Sequence, residues 1–310
     1  MCGRFASARK RTELLAEFGV QQDPDEEPLR PDYNVAPTKP IYAVLARKPR
    51  EPEETAGHGS AGDSPEARDD GTAERELRVV RWGLVPFWAK DRSIGSRMIN
   101  ARAETVATKP AFRRAFARHR CLIPADGYYE WMKTGDPEHP GKQPYFIHRA
   151  DGGVLAFAGL YERWRDRDRP DEDDDAWLWT ATIITTRAAD EVGQIHDRMP
   201  MVIEPDRWAD WLDPALTSTG DLHGLLAPAV SAHLASYPVS TEVNAVRHNG
   251  PQLIEPLAGP GEPAGAGYGP GLRAAAMRKK PNDSLPPRPP RAAGGVPFPG
   301  RPGQGKLSSW

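Results

Sequence analysis

Cys2 is the residue with the most unusual chemistry within reach. The chain opens Met1-Cys2-Gly3-Arg4-Phe5, and removal of Met1 would leave a cysteine at the terminus. A terminal cysteine carries a free α-amine and a thiol on adjacent carbons, a pair no internal cysteine can offer. An amine with a pKa of about 8 and a thiol near 8.5 keep some neutral amine and some thiolate at neutral pH. Such a 1,2-aminothiol condenses with an aldehyde to an imine, which the sulfur closes to a five-membered thiazolidine. It also serves as an N-terminal nucleophile with its own amine as base. A cysteine that merely follows the start codon is the plain alternative, and a match this short does not exclude it.

Three further polar stretches fall where strands end or turn, the usual place for functional groups. They are Met98-Ile99-Asn100-Ala101-Arg102-Ala103-Glu104, Cys121 to Trp131 with Asp126-Gly127-Tyr128-Tyr129-Glu130 at its centre, and Ile195-His196-Asp197-Arg198-Met199-Pro200. Each has an ordinary structural explanation when taken singly. Asn100 suits a turn, Glu130 a cross-strand surface pair, and His196 a hydrogen-bonded core position. Nothing in these stretches has metal-ligand spacing, so neither a metal nor another cofactor is expected.

The elements that must position these groups are legible in the pattern of the chain. Ser7 is expected to cap a helix through Leu14, Leu15 and Phe18 that Gly19 stops. Strands are expected at Ile41–Ala46, Leu77–Gly83, Arg120–Ile123, Val154–Leu160 and Trp177–Thr186. A hairpin is expected with arms Tyr128–Met132 and Pro144–His148, turning at Thr134-Gly135-Asp136-Pro137. A basic helix over 110–119 would begin at Pro110 and bury Phe112 and Phe116. Short helices follow near Asp206–Leu212 and Asp221–Leu226, then a last strand near Glu242–Val246. Many strands with local connections and few helices define an α+β domain over about 2–257.

The 310 residues carry 41 basic and 43 acidic side chains, but the near-neutral total is unevenly spread. Residues 51–76 hold nine acids against two bases, and 162–175 hold eight against four. Residues 263–310 reverse the balance, with eight bases and one acid. The segment 47–75 is too poor in large apolar residues to offset its ordering entropy and reads as a disordered insertion. The acidic run 162–175 reads as a solvated loop, and 258–310 as a disordered Pro/Gly-rich basic tail. Two cysteines form no disulfide framework, and neither a signal peptide nor a membrane-length apolar run is visible. A cytoplasmic protein without membrane attachment is expected.

Taken together, the motifs resemble the SOS-response-associated peptidase family, also called abasic-site processing proteins. The resemblance rests on the opening Met-Cys-Gly-Arg-Phe, Tyr33-Asn34-Val35-Ala36-Pro37 and Arg81-Trp82-Gly83-Leu84-Val85-Pro86. It continues through Ile99-Asn100-Ala101-Arg102-Ala103-Glu104-Thr105, Pro124-Ala125-Asp126-Gly127 with Tyr129-Glu130-Trp131, and Ile195-His196-Asp197-Arg198-Met199-Pro200. It implies a mixed, mainly antiparallel sheet with a barrel-like core flanked by helices, and a groove for single-stranded DNA containing abasic sites. It implies that Cys2, freed of Met1, captures the abasic aldehyde as a thiazolidine, with some lyase chemistry through the imine. His196 would help open the sugar ring, Glu130 would act as general acid and base in capture and reversal, and Asn100 would orient the amine. Arg4, Arg102 and Arg198 match positions that contact phosphates, Asn34 and Pro37 are counted with the DNA-binding set, and Trp88 would stack a base. After Trp88 stands Ala89, where some relatives carry a second aromatic. Nucleic acid bound by a monomer, possession of peptidase activity toward Met1, and adduct chemistry are the expectations. An N-terminal-nucleophile peptidase or amidohydrolase, with Asn100 as oxyanion donor, is the alternative, and a non-catalytic DNA-binding module is a third.

Overall fold

The structure, a computed structural model, describes residues 2–24, 27–47, 73–134, 141–170, 172–173, 176–188, 190–226 and 234–257. Most of the expected insertion, the hairpin turn from Gly135 onward, and the expected tail lie outside the described residues.

From the N-terminus, β1 (Phe5–Ser7) leads to helix α1 (Arg11–Glu17), β2 (Asp32–Val35), β3 (Pro40–Arg47), β4 (Glu74–Trp82) and the short β5 (Asn100–Arg102). Helix α2 (Arg113–Arg118) precedes β6 (Arg120–Ala125), β7 (Gly127–Lys133), β8 (Lys142–Arg149), β9 (Leu155–Arg165) and β10 (Trp177–Arg187). Helix α3 (Asp190–Ile195), β11 (Arg198–Pro200), helices α4 (Trp208–Leu212) and α5 (Thr219–Leu225) and β12 (Leu234–Pro238) complete the order. No helix among the described residues is long and apolar enough to cross a membrane.

Five strands close a barrel in the order β10-β4-β3-β6-β9, with β9 returning to β10. Neighbours pair antiparallel except β10 with β4, which run parallel with Thr180 opposite Arg81. Alternation sorts the side chains. Ile41, Ala43 and Leu45 of β3 join Val80, Trp82, Ile123, Phe157 and Ile183 inside the barrel. The intervening Tyr42, Val44, Leu77, Leu122 and Leu160 point outward, onto Leu14 and Phe18 of the α1 region, Phe116 of α2 and Trp208 and Trp211 of α4. Each large side chain so buried contributes about 1.5–3 kcal/mol against leaving it in water. The mainly antiparallel, barrel-centred α+β architecture is therefore the one expected.

A second sheet, β12-β8-β7-β1-β2, carries the N-terminus to the barrel. β1 lies between β7 and β2, with Phe5 opposite both Tyr128 and Val35. Asp126 locks this junction. Its carboxylate accepts from the Ala8 amide at 2.6 Å and from Arg9 Nε at 3.0 Å. Gly127 is required there, because a Cβ would run into the Phe146 ring and stand 2.6 Å from the Ile147 carbonyl oxygen.

Four expectations are corrected. Ser7 is not a helix cap. Sheet pairing takes it into β1, and α1 starts at Arg11 with Lys10 before it. Pro110 lies in the turns ahead of α2, which begins only at Arg113. β9 runs on to Arg165, so 162–165 at the head of the acidic run are strand rather than loop. The last strand is β12, while Thr241–Asn244 forms a 3-10 turn whose Glu242 amide bonds the Ser240 hydroxyl at 3.2 Å. Side-chain capping by serine competes with strand formation there.

Candidate active site at the N-terminal cysteine

Cys2 enters one mouth of the barrel. Its side chain is fully buried among the inward-facing residues, with Phe5, Trp82 and Ile183 in the same core. β5 exists because it pairs with β10, Asn100 opposite Ile183, and that register brings Asn100 to the same mouth. The Asn100 side-chain N–H donates to the Cys2 carbonyl at 2.7 Å. Its other polar atom, Oδ1, is buried and has no hydrogen-bond partner among the described residues.

β7 supplies the next group. Residues two apart on a strand share a face, so Tyr128 and Glu130 project together while Tyr129 turns away to bond the Tyr33 carbonyl at 2.7 Å. Glu130 is only 3% exposed. Burial pushes its carboxyl pKa up, and nearby His196 pulls the other way. Burial, reinforced by Glu130, raises the Cys2 thiol well above the ordinary thiol range, against a hydrogen bond from the Arg4 amide. The free thiolate expected of an exposed terminal cysteine is thus suppressed in this pocket. The Tyr128 hydroxyl is pushed up by burial and then by Cys2 and Glu130, and it too lacks a hydrogen-bond partner among the described residues. Sequence reading passed over Tyr128. Its i, i+2 relation to Glu130 was the available signal.

His196 follows α3 directly. Its Nδ1 accepts from the Arg198 amide at 2.9 Å, which fixes that nitrogen as an acceptor and leaves Nε2 to carry the proton of the neutral ring. The Asp197 carboxylate also lies 2.9 Å from Nδ1, but two acceptors cannot share a bond and Asp197 is open to solvent, so the amide contact governs the tautomer. Mutual electrostatic influence ties Cys2, Tyr128, Glu130 and His196 into one cluster.

The expected DNA-contacting residues divide. Arg4 Nη1 donates to Asn34 Oδ1 at 2.7 Å and to the Val243 carbonyl at 2.8 Å. Asn34 is fully buried, and its N–H groups bond the carbonyls of Val243, Ala245 and His248, so it organises the 243–248 loop. Arg198 makes a two-pronged pair with Glu104, at 2.6 and 3.1 Å, and also donates to the Thr185 carbonyl. That pairing pulls the Glu104 carboxyl pKa down. Pro37 is half-buried in the turn from Ala36 to Lys39, where Thr38 holds a φ of 74°, a left-handed conformation more typical of glycine. Arg102 is exposed on β5, and Trp88 is 46% exposed. Ala89 is buried and its carbonyl accepts from Trp164 Nε1 at 2.7 Å, so it adds no second stacking surface.

One barrel mouth thus gathers a buried near-terminal cysteine, a buried carboxylate, a histidine and an anchoring amide on a β scaffold. Residues 1–246 match the model of the SOS response associated peptidase (SRAP) family, and the chain belongs to that family. It is 38% identical over 255 residues to the abasic site processing protein YoqW of Bacillus subtilis, covering 82% of this chain and 99% of that one. It is 31% identical to YedK of Escherichia coli, an abasic site processing protein, covering 83% and 100% of the two chains. The abasic site processing protein HMCES of Gallus gallus is also 31% identical, with 83% of this chain and 78% of that protein covered. A solved structure from Bacteroides thetaiotaomicron superposes with a TM-score of 0.62 at 25% identity, covering 83% of this chain and all of the other.

Proposed function

We propose that this protein handles abasic sites in DNA damage, and that it does so by covalent capture through Cys2 in single-stranded DNA. The observation that carries the reading is the gathering of Cys2, Asn100, Glu130 and His196 at one barrel mouth, in a family whose relatives are abasic site processing proteins.

In the full-length chain the Cys2 nitrogen is a peptide nitrogen, so the chemistry begins with loss of Met1. The freed amine adds to C1′ of the ring-opened sugar. The carbinolamine loses water to give an imine, and the Cys2 sulfur adds to the same carbon while the thiol proton passes to nitrogen. The products are a thiazolidine and one water. Ring opening needs a proton shuttle, a role that suits the His196 ring through Nε2. Glu130 suits the dehydration and the thiol's proton transfer, because a carboxyl raised by burial exchanges protons nearer neutrality than an exposed one. A protonated thiol at rest suits this order, in which the amine reacts first. Asn100 fixes the Cys2 carbonyl and hence the direction of the amine, with Oδ1 left to accept from that amine or a sugar hydroxyl. Tyr128 joins the set as a buried hydroxyl able to relay a proton between sulfur and Glu130.

The hydrolase alternative would have Asn100 stabilise an oxyanion. Asn100 instead holds the carbonyl of Cys2 itself, which favours an anchoring role. Cys2→Ala tests the reading. The variant should bind abasic single strands and form no adduct that survives denaturation. A stable adduct from that variant would overturn it.

A further inference from the structure

Where β10 ends, two arginines stand opposite each other. β10 and β11 pair antiparallel with Arg187 directly across from Arg198, while β5 runs parallel along the other edge of β10 with Arg102 opposite Thr185. Side chains two apart on a strand share a face, so Ile183, Thr185 and Arg187 project together, as do Asn100, Arg102 and Glu104. Asn100 begins its row at Cys2, whose carbonyl it holds. At about 3.3 Å per residue, Arg102 lies roughly 7 Å and Arg187 roughly 13 Å beyond the Asn100–Ile183 pair, in the same direction. A basic face therefore leads away from the Cys2 mouth.

The charges on that face do not balance. Like charges directly opposite each other on paired strands are destabilising unless a counter-charge serves them. Among the described residues Glu104 is the carboxylate that does so, and both its oxygens are taken by Arg198, at 2.6 and 3.1 Å. Arg187 acts on Glu104 only at longer range. Asp197, the other acid at this end, directs its carboxylate to the His196 ring. Arg102 and Arg187 are exposed, and their guanidinium groups make no hydrogen bond or ion pair among the described residues. Two open guanidinium edges thus flank an arginine whose charge is already met, an arrangement that a chain of phosphates completes.

We propose that Arg187 is a further phosphate-binding residue. The strand held at Cys2 continues over the ends of β5 and β10, so that its phosphates on one side of the captured nucleotide meet Arg102 and then Arg187. Glu104 is a positioning residue here: by occupying Arg198 it leaves Arg187 uncompensated, and its own charge limits the affinity of the face. This path rests on the reading that the Cys2 mouth receives single-stranded DNA, and it adds the direction the strand takes from there.

The test is non-covalent binding of the full chain to a short single strand with a central tetrahydrofuran, an abasic analogue that has no aldehyde to react. Arg187→Ala should bind about three- to tenfold more weakly, with a log–log salt slope shallower by roughly 0.7 for one lost phosphate contact. Arg187→Lys keeps the charge and should keep the parental slope. Arg113→Ala makes the same change of charge on the exposed side of α2 and should leave affinity and slope unaltered. Glu104→Gln should bind about two- to fivefold more tightly, as removal of one exposed opposing charge does. Arg187→Ala should melt no lower than the parent at low salt, because it removes an opposed charge rather than a contact. Parental affinity and slope in Arg187→Ala, an equal loss in Arg113→Ala, or a Lys variant with the slope of the Ala variant would overturn the assignment of Arg187. Unchanged or weaker binding by Glu104→Gln would overturn that of Glu104. Capture and path fail separately. A parent that binds the analogue strand, with the variants behaving as above, yet forms no adduct with a true abasic strand removes the chemistry at Cys2 and leaves the path. A parent that forms the adduct while Arg187→Ala binds as tightly as it does removes only the path.

Discussion

Asn100 and the backbone of Cys2 are joined by a 2.7 Å hydrogen bond across 98 residues of chain. The bond ties Cys2 to a three-residue strand that exists only through its pairing with β10. The position of Cys2 therefore depends on the barrel, not on the N-terminal segment alone. Asn100→Ala should lower the initial rate of adduct formation by about 10- to 100-fold, since small misplacements of reacting groups cost rate on that scale. Stability should fall by only about 1 kcal/mol, as for the loss of one hydrogen bond. Rapid-quench gels with uracil-excised single strands, paired with urea melts, separate the two effects.

Glu130 should show the opposite balance. Burial raises its carboxyl pKa, so the fold holds its proton to higher pH than the unfolded chain does. Stability therefore falls as pH rises from the unfolded value, near 4.3, through the raised folded value. Glu130→Gln removes that cost. Its melting temperature should exceed the parent's at pH 7 and converge with it below about pH 4, while adduct formation and reversal both slow. Thermal scans across pH and timed gels check this. A variant with parental rates would strip Glu130 of its acid–base role.

The arginines should separate by function. Arg102 stands exposed, so Arg102→Ala should weaken single-strand binding and flatten its salt dependence by roughly 0.7 in log–log slope, with no change in melting temperature. Arg198 is committed to Glu104 and the Thr185 carbonyl, so Arg198→Ala should lower stability as well as binding. Fluorescence anisotropy against salt and differential scanning calorimetry distinguish them. Trp88→Ala should resemble Arg102→Ala in sparing stability, and cost roughly 1–3 kcal/mol of binding as a lost stacking surface.

Gly127 is a purely structural test. Its absent Cβ leaves room for the Phe146 ring and the Ile147 carbonyl. Gly127→Ala should destabilise the protein by about 1–3 kcal/mol, as overpacking does, measured by the shift of its denaturant midpoint.

How far the sequence discloses all this varies by residue. β3 and β10 are long and largely apolar, β10 also rich in β-branched residues, and both have partners on two sides, so their local pattern agrees with their final state. β5 and β11 are three residues each and carry no pattern of their own. They are strands because β10 offers them an edge. Ser7 and the 241–244 turn went astray for a related reason, since pairing with β2 decides the first and a serine hydroxyl the second. At the site, Cys2, Asn100, Glu130 and His196 were legible as motif residues. Tyr128 was legible only through strand alternation. Which arginines face solvent and which are spent on Asn34 or Glu104 depends on contacts that span 30 to 94 residues, and no local pattern records them.

The most direct measurement is intact mass of the purified full-length protein before and after incubation with single-stranded DNA holding one abasic site. Capture through a free Cys2 requires a species lacking Met1, which then gains the mass of the oligonucleotide less one water and keeps it under denaturing conditions. A protein that retains Met1 and still acquires the DNA, or one that loses Met1 and acquires nothing, would contradict it.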